Sequence, residues 1–213
     1  MPTRAVLFDF DGTLADSFAA ITASTNHTRE RYGLPPLPEA DVRRRVGYGL
    51  DNLMAELVPT APAAEAVVVY REHHAATMLS GTRLFPEVAD TLAELRRRGY
   101  RLAVCSNKRA EFTRALVDGL GVGGLFEAVL GPDDVGVPKP DPAMLLEAAR
   151  RLGVTPAESL YVGDMAVDVE AGQAAGMVVV LVPGGAGDPA EAIAAGPDRV
   201  LDTFADLLLL PGV

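Results

Sequence analysis

Four short stretches of the chain are mainly apolar and partly β-branched: Ala5–Phe8, Arg101–Cys105, 159–162 and 177–182. Each is bounded by charged or glycine-containing segments. Runs this short, with apolar residues at successive positions rather than alternating ones, predict strands buried on both faces, the habit of a parallel sheet. Ala128–Leu130 reads as a further short strand. Between the later runs, 87–98, 109–116 and 142–152 carry apolar residues at helical spacing. That alternation predicts an α/β fold, a Rossmann-like parallel sheet with helices on both faces.

The alternation breaks once. Residues 16–84 show helical periodicity and no convincing strand, interrupted by Gly33-Leu34-Pro35-Pro36 and by prolines at 59 and 62. They predict an inserted all-helical cap, which divides the chain into a core of 1–15 and 85–213 and a cap of 16–84. Placed straight after the first strand, the insertion leaves the core at the carboxyl ends of the strands. Open α/β sheets hold their ligands there, so the cap would form a lid. Residues 184–189 read as a surface loop, and no internal repeat is present.

Three predicted strands end in polar side chains that a buried sheet does not need for stability. The first runs into Asp9-Phe10-Asp11-Gly12-Thr13, the second into Ser106-Asn107-Lys108, and the third into Gly163-Asp164, with Asp168 following. Lys139 arrives separately, within Pro138-Lys139-Pro140-Asp141-Pro142. If the aspartates converge, their mutual repulsion in a partly desolvated cleft calls for a cation, and magnesium suits carboxylate donors. No histidine or cysteine cluster offers a zinc site. Taken singly, Asp168 reads as a helix N-cap, Ser106 as a cap or turn residue, and Lys139 as a solvated lysine. The combination and its order favour chemistry.

The composition narrows the partners. The 213 residues carry 29 acidic and 19 basic side chains, a net charge of −10. Such a balance counts against nucleic acid and acidic membranes but leaves small anions open if the site is locally positive. The single cysteine, Cys105, excludes an internal disulfide and falls in an apolar run, where a buried reduced thiol is expected. The start of the chain meets Asp9 at once, and no apolar run reaches membrane length. The expectation is therefore a cytoplasmic protein without a signal peptide, a monomer or a homodimer.

These motifs resemble those of the haloacid dehalogenase superfamily, in its phosphatase branch and most closely its phosphoglycolate phosphatase-like members. Asp9-Phe10-Asp11-Gly12-Thr13-Leu14 is similar to the first motif, Ser106 to the second, Lys139 to the third, and Gly163-Asp164-Met165-Ala166-Val167-Asp168 to the fourth. The helical insertion resembles that family's cap, and Ser106-Asn107-Lys108 resembles its Ser/Thr-Asn-Lys segment. The resemblance implies a magnesium-dependent phosphatase in which Asp9 is the nucleophile and a metal ligand. Asp11 would be the general acid and base, its backbone carbonyl a second ligand, and Asp164 the third. Ser106, Asn107 and Lys139 would hold the phosphoryl group, with Thr13 and Asp168 supporting from behind.

Specificity would then come from the cap. Arg45, Gly47, Tyr48 and Gly49 resemble a specificity loop in which an arginine takes a substrate carboxylate, as in 2-phosphoglycolate. An ordinary helix-linking turn with surface arginines at 43–45 accounts for the same residues equally well. Lys108 is a third specificity candidate. His73 and His74 either reach the substrate or sit solvated on a polar helix. The alternative readings are a phosphosugar mutase similar to β-phosphoglucomutase and a signalling module whose phosphoaspartate does not turn over. Asp11 speaks against a dehalogenase, and the absence of lysine from 15–84 against a phosphonatase.

Overall fold

The computed structural model describes residues 2–182 and 184–210. Met1, Pro183 and 211–213, all within the expected core spans, lie outside the described residues. In chain order the elements are β1 (Ala5–Phe8), β2 (Ala15–Asp16), α1 (Phe18–Arg31), α2 (Glu39–Arg43), α3 (Leu50–Leu57), α4 (Ala63–Thr77) and β3 (Arg83–Leu84). There follow α5 (Val88–Arg97), β4 (Arg101–Cys105), α6 (Ala110–Gly119), β5 (Ala128–Leu130), α7 (Pro132–Val135) and α8 (Ala143–Arg151). The chain closes with β6 (Ser159–Gly163), α9 (Ala166–Ala174), β7 (Val178–Leu181), α10 (Pro189–Ala194) and β8 (Arg199–Val200).

Six strands form one sheet in the order β5-β4-β1-β6-β7-β8, and every neighbouring pair is parallel. The apolar runs follow from its two covered faces. Val6 and Phe8 face Leu102, Val104, Leu160 and Val162 in a cluster closed by Leu92, Leu95, Leu116 and Phe204. Their neighbours Ala5 and Leu7 point the other way, with Ala103, Cys105 and Tyr161, onto Met144, Leu145, Ala148 and Leu152. Successive strand residues serve opposite faces, so the middle of each central strand is apolar, with Arg101 and Ser159 only where β4 and β6 begin. In α5, Val88, Thr91, Leu92 and Leu95 are buried at helical spacing. Cys105 is buried as expected, and burial pushes its thiol up to about 12.

The helices α1 to α4 pack around Phe18, Ile21, Val42, Met54, Leu57, Val67 and Tyr70. Met165, Val167 and Ala186 complete this cluster from the sheet side, so the helices are seated on the core. Expectation and structure differ at the ends of the insertion. Ala15 pairs with Leu84 and Asp16 with Arg83 in a short antiparallel ladder, because both crossings of the chain leave the core at one point. The loop expected at 184–189 gives way at Pro189 to α10, whose N-cap Asp188 accepts from the Ala190 N–H at 2.8 Å. Among the described residues no helix is long and apolar enough to cross a membrane.

Candidate active site

The register places the polar strand ends side by side. Phe8 pairs with Val104 on one side and with Val162 on the other, so Asp9, the residues after Cys105 and Asp164 all emerge at one edge. The Asp9 amide still donates to the Val162 carbonyl at 2.9 Å, after which the chain turns. The Phe10 carbonyl accepts from the amides of Leu14 and Ala15, each at 3.0 Å, and closes the loop. Gly12 has φ +93°, and a Cβ there would lie 2.3 Å from Asp164 Oδ2. Both the backbone conformation and the contact require glycine at this position.

Lys139 stands at the centre of the charges. Its Nζ donates to Asp9 Oδ1 at 2.9 Å, to Asp168 Oδ1 at 2.7 Å and to the Tyr161 hydroxyl at 2.8 Å, in a site 3% exposed. Burial opposes its charge, but Asp168 and Asp9 more than offset that and raise its pKa above the ordinary lysine value. The other oxygen of Asp168 accepts from the amides of Asp164 and Met165 at the start of α9. Helix capping and charge pairing, alternatives in the sequence, thus occupy the two oxygens of one carboxylate. Asp164 takes the Thr13 hydroxyl at 2.8 Å and the Ala186 amide at 2.6 Å, and it has no cationic partner among the described residues.

Carboxylate oxygens of Asp9, Asp164 and Asp168 lie within 4.8 Å of one another. Burial pushes the Asp9 carboxyl up to about 6, Lys139 pulling it back and Asp168 adding to the rise. Burial, with the charges of Asp168 and Asp9, raises Asp164 well above the usual carboxylate range. One lysine therefore leaves this cluster short of positive charge. The remaining lone pairs of Asp9 and Asp164, hard oxygen donors with no nitrogen or sulfur beside them, fit a divalent cation that prefers oxygen.

Asp11 has a separate set of partners. It accepts from Ser17 Oγ and pairs with Lys108 Nζ at 2.9 Å. Ser106 Oγ accepts from the Lys108 amide at 3.3 Å. Asn107 is committed to backbone: its Nδ2 donates to Gly47 O at 2.8 Å and to Lys139 O at 3.1 Å, and its Oδ1 accepts from the Lys139 amide at 2.7 Å. Expected beside the phosphoryl group, Asn107 lines the pocket described below, and its side chain fixes the Lys139 loop and ties the insertion to the core.

A pocket opens between this edge and the helices, floored by Asp9, Asp11, Ser106 and Lys139 and walled by Ile21, Leu50, Leu53, Phe112 and Val167. Lys108, one of the specificity candidates, lines it. Arg45 and Tyr48 do not. Arg45 is held by the Glu56 carboxylate and the Asp41 carbonyl, so the structure supports the surface-arginine alternative for that position, and Tyr48 is 41% exposed. His74, one of the two histidines that the sequence offers as reaching the substrate or solvated, lines the pocket, as do Arg109 and Tyr70, which the sequence reading missed. Tyr70 and His74 stand four residues apart on α4, and that spacing was the available signal.

His74 is not solvated. It is 1% exposed, stacks on Tyr70 at 5.0 Å and has Nδ1 3.0 Å from Ser24 Oγ, while Nε2 has no partner. Because Ser24 donates its proton to Ala20 O, the network assigns the imidazole proton to Nδ1. Burial, then the charges of Lys108 and His73, push the imidazole down to about 3. A neutral imidazole is thus favoured in the fold, and stability falls as pH drops below the unfolded value near 6.5. Between pH 6.5 and 5 we expect a loss of about 2 kcal/mol from this group. Urea unfolding of wild type and His74→Gln checks it: the variant should lose markedly less stability over that interval, and equal slopes would refute the assignment.

Residues 6–182 match the family described as haloacid dehalogenase-like hydrolase. The chain belongs to that family, and its relatives place it among the phosphatases. A phosphoglycolate phosphatase of Cupriavidus necator is 37% identical over 99% of this chain and 95% of its own. One from Pectobacterium atrosepticum is 38% identical over 98% and 92%. Among solved structures, a predicted phosphoglycolate phosphatase from Haemophilus somnus has a TM-score of 0.87 at 28% identity, over 97% of both chains.

Proposed function

We propose that the chain hydrolyses a small phosphomonoester through an aspartyl-phosphate on Asp9, with residues 16–84 acting as the cap and 2-phosphoglycolate as the leading substrate. The observation that carries this reading is Asp9 itself. One oxygen is pinned by Lys139, and the other accepts no hydrogen bond from a described residue at the floor of a pocket. A carboxylate so held is oriented for in-line attack on phosphorus.

Magnesium, held by Asp9, Asp164 and the Asp11 backbone carbonyl, would neutralise the phosphoryl oxygens and the clustered carboxylates. Lys139 and Ser106 hold the phosphoryl group, and Lys139 keeps Asp9 ionised for attack. Asp11 gives a proton to the leaving oxygen and takes one back from the water that cleaves the phosphoaspartate. For that it must be released by Lys108, which then turns to the leaving group. Lys108 and Arg109, rather than Arg45, are the cations in the pocket for a substrate carboxylate, and the names of the relatives support the same substrate.

Phosphate release from 2-phosphoglycolate, sugar phosphates and nucleotides, each with magnesium and with EDTA, tests the proposal. Magnesium-dependent release, greatest on 2-phosphoglycolate, is the expected result. Isomerisation of a sugar phosphate without net release would replace it with the mutase reading, and lasting self-phosphorylation with the signalling one.

A further inference from the structure

Arg43, Arg44 and Arg45 are consecutive at the end of α2, yet they go to different places. Arg44 pairs with Asp41 and Arg45 with Glu56, both within the insertion. Arg43 alone of the three crosses to the core. Its Nη2 donates to the Gly184 carbonyl at 2.7 Å and its Nε to the Gly185 carbonyl at 2.5 Å. The guanidinium lies 4.3 Å over the ring of Phe18, the buried residue that opens α1.

The peptide that joins Gly185 to Ala186 is trans, and in a planar trans unit the C=O and N–H point in opposite directions. Arg43 holds the carbonyl end. The N–H end donates to Asp164 Oδ2 at 2.6 Å. There is no slack behind this peptide, since a Cβ on Gly185 would stand 2.2 Å from the Gly12 carbonyl and 2.3 Å from Asp164 Oδ2. One rigid unit therefore has a cap arginine on one side and a buried carboxylate on the other.

We infer that Arg43 is a positioning residue that couples seating of the cap to the orientation of Asp164, and thereby to capture of the divalent cation. This inference rests on the cation reading of the site given above. With the cap seated, Arg43 turns the 185–186 peptide so that its N–H fixes one oxygen of Asp164, leaving the carboxylate in one orientation for a metal ion. With the cap lifted, the peptide and the carboxylate lose that restraint together. Coupling of this kind is reciprocal, so the cation in turn favours the seated cap. A planar fork stacked on an aromatic ring and bonded to two successive carbonyls is a task for arginine that lysine does not reproduce.

The test uses the whole chain without substrate. Magnesium chloride binding is measured by calorimetry for wild type, Arg43→Ala, Arg43→Gln and Arg43→Lys, and hydrogen exchange of the Ala186 amide by NMR. The expected result is magnesium affinity at least about fivefold weaker in each variant, with Arg43→Lys rescuing poorly. The Ala186 amide should also exchange faster, although the variants melt cooperatively. Arg43→Gln, which keeps most of the side-chain stem, serves should Arg43→Ala fold badly. Equal affinity, within twofold, in wild type and a folded variant would overturn the coupling alone. A wild type with no magnesium affinity would overturn the cation reading and the coupling with it.

Discussion

Asp9→Asn protein should fold, melt at a higher temperature than wild type in EDTA, and release phosphate on the order of 10⁴-fold more slowly. The substitution keeps the shape of the side chain and removes the nucleophilic oxygen and its charge. Lys139 retains Asp168 as a partner, so the buried cation is not orphaned. The stability effect follows from the raised pKa. Burial pushes the Asp9 carboxyl from its ordinary 3.8 up to about 6 in the fold, so whatever stability it lends is present in acid and lost as pH rises through 6. At pH 7.5 the cation-free wild type bears that cost, roughly 1–3 kcal/mol, and the amide does not. Phosphate release and thermal unfolding measured together decide the matter. Activity within tenfold of wild type would remove Asp9 from the mechanism.

Lys139→Met should be the more damaging change to the fold. It leaves Asp9 and Asp168 facing one another without their shared cation, and breaking a buried pair from one side costs about 3–5 kcal/mol. Exposed pairs offer the contrast. Arg97 and Glu94 sit on the surface of α5, where solvent screens the pair and removing one partner should leave stability little changed. Urea unfolding of Lys139→Met, Asp168→Asn and the double variant forms a cycle in which the second substitution recovers part of the loss. A single-variant loss below 1 kcal/mol would mean that the cluster is held by packing rather than charge. Activity should disappear with the lysine in either case.

The sheet was legible because burial on both faces leaves an unmistakable trace: Ala5–Phe8, Arg101–Cys105 and Ala128–Leu130 have the boundaries that the apolar runs indicate. The floor of the pocket was legible for the complementary reason, since polar residues directly after buried strands have no role in packing. Its walls were not. Ile21, Leu50 and Leu53 look like ordinary core positions, and only their placement over Asp9 makes them pocket residues. The arginines of 43–45 differ by which acceptor each meets, which no local pattern encodes. α1 gave a weak signal because Ser24, Thr25 and Thr28 are buried along it, hydroxyls where an amphipathic helix would carry carbons. The two-residue pairings β2–β3 and β8 are too short to leave any pattern.

The β2–β3 ladder has a consequence for how such a protein changes over time. Ala15 and Leu84 are directly paired, so the chain departs on its sixty-odd-residue excursion and returns to within about 5 Å of where it left. The strand order and register of the six-stranded sheet are made by core residues alone. A tight turn, or a wholly different set of helices, would join the same two points and leave the strand pairing of β1 with β4 and β6 intact, although the contacts of Arg43 and Gly47 with the core would have to be rebuilt. Under the proposed function, reaction and selectivity would be separable parts divided at two adjacent points on the backbone, and a new substrate range could be acquired by exchanging one part and refitting its few contacts with the other.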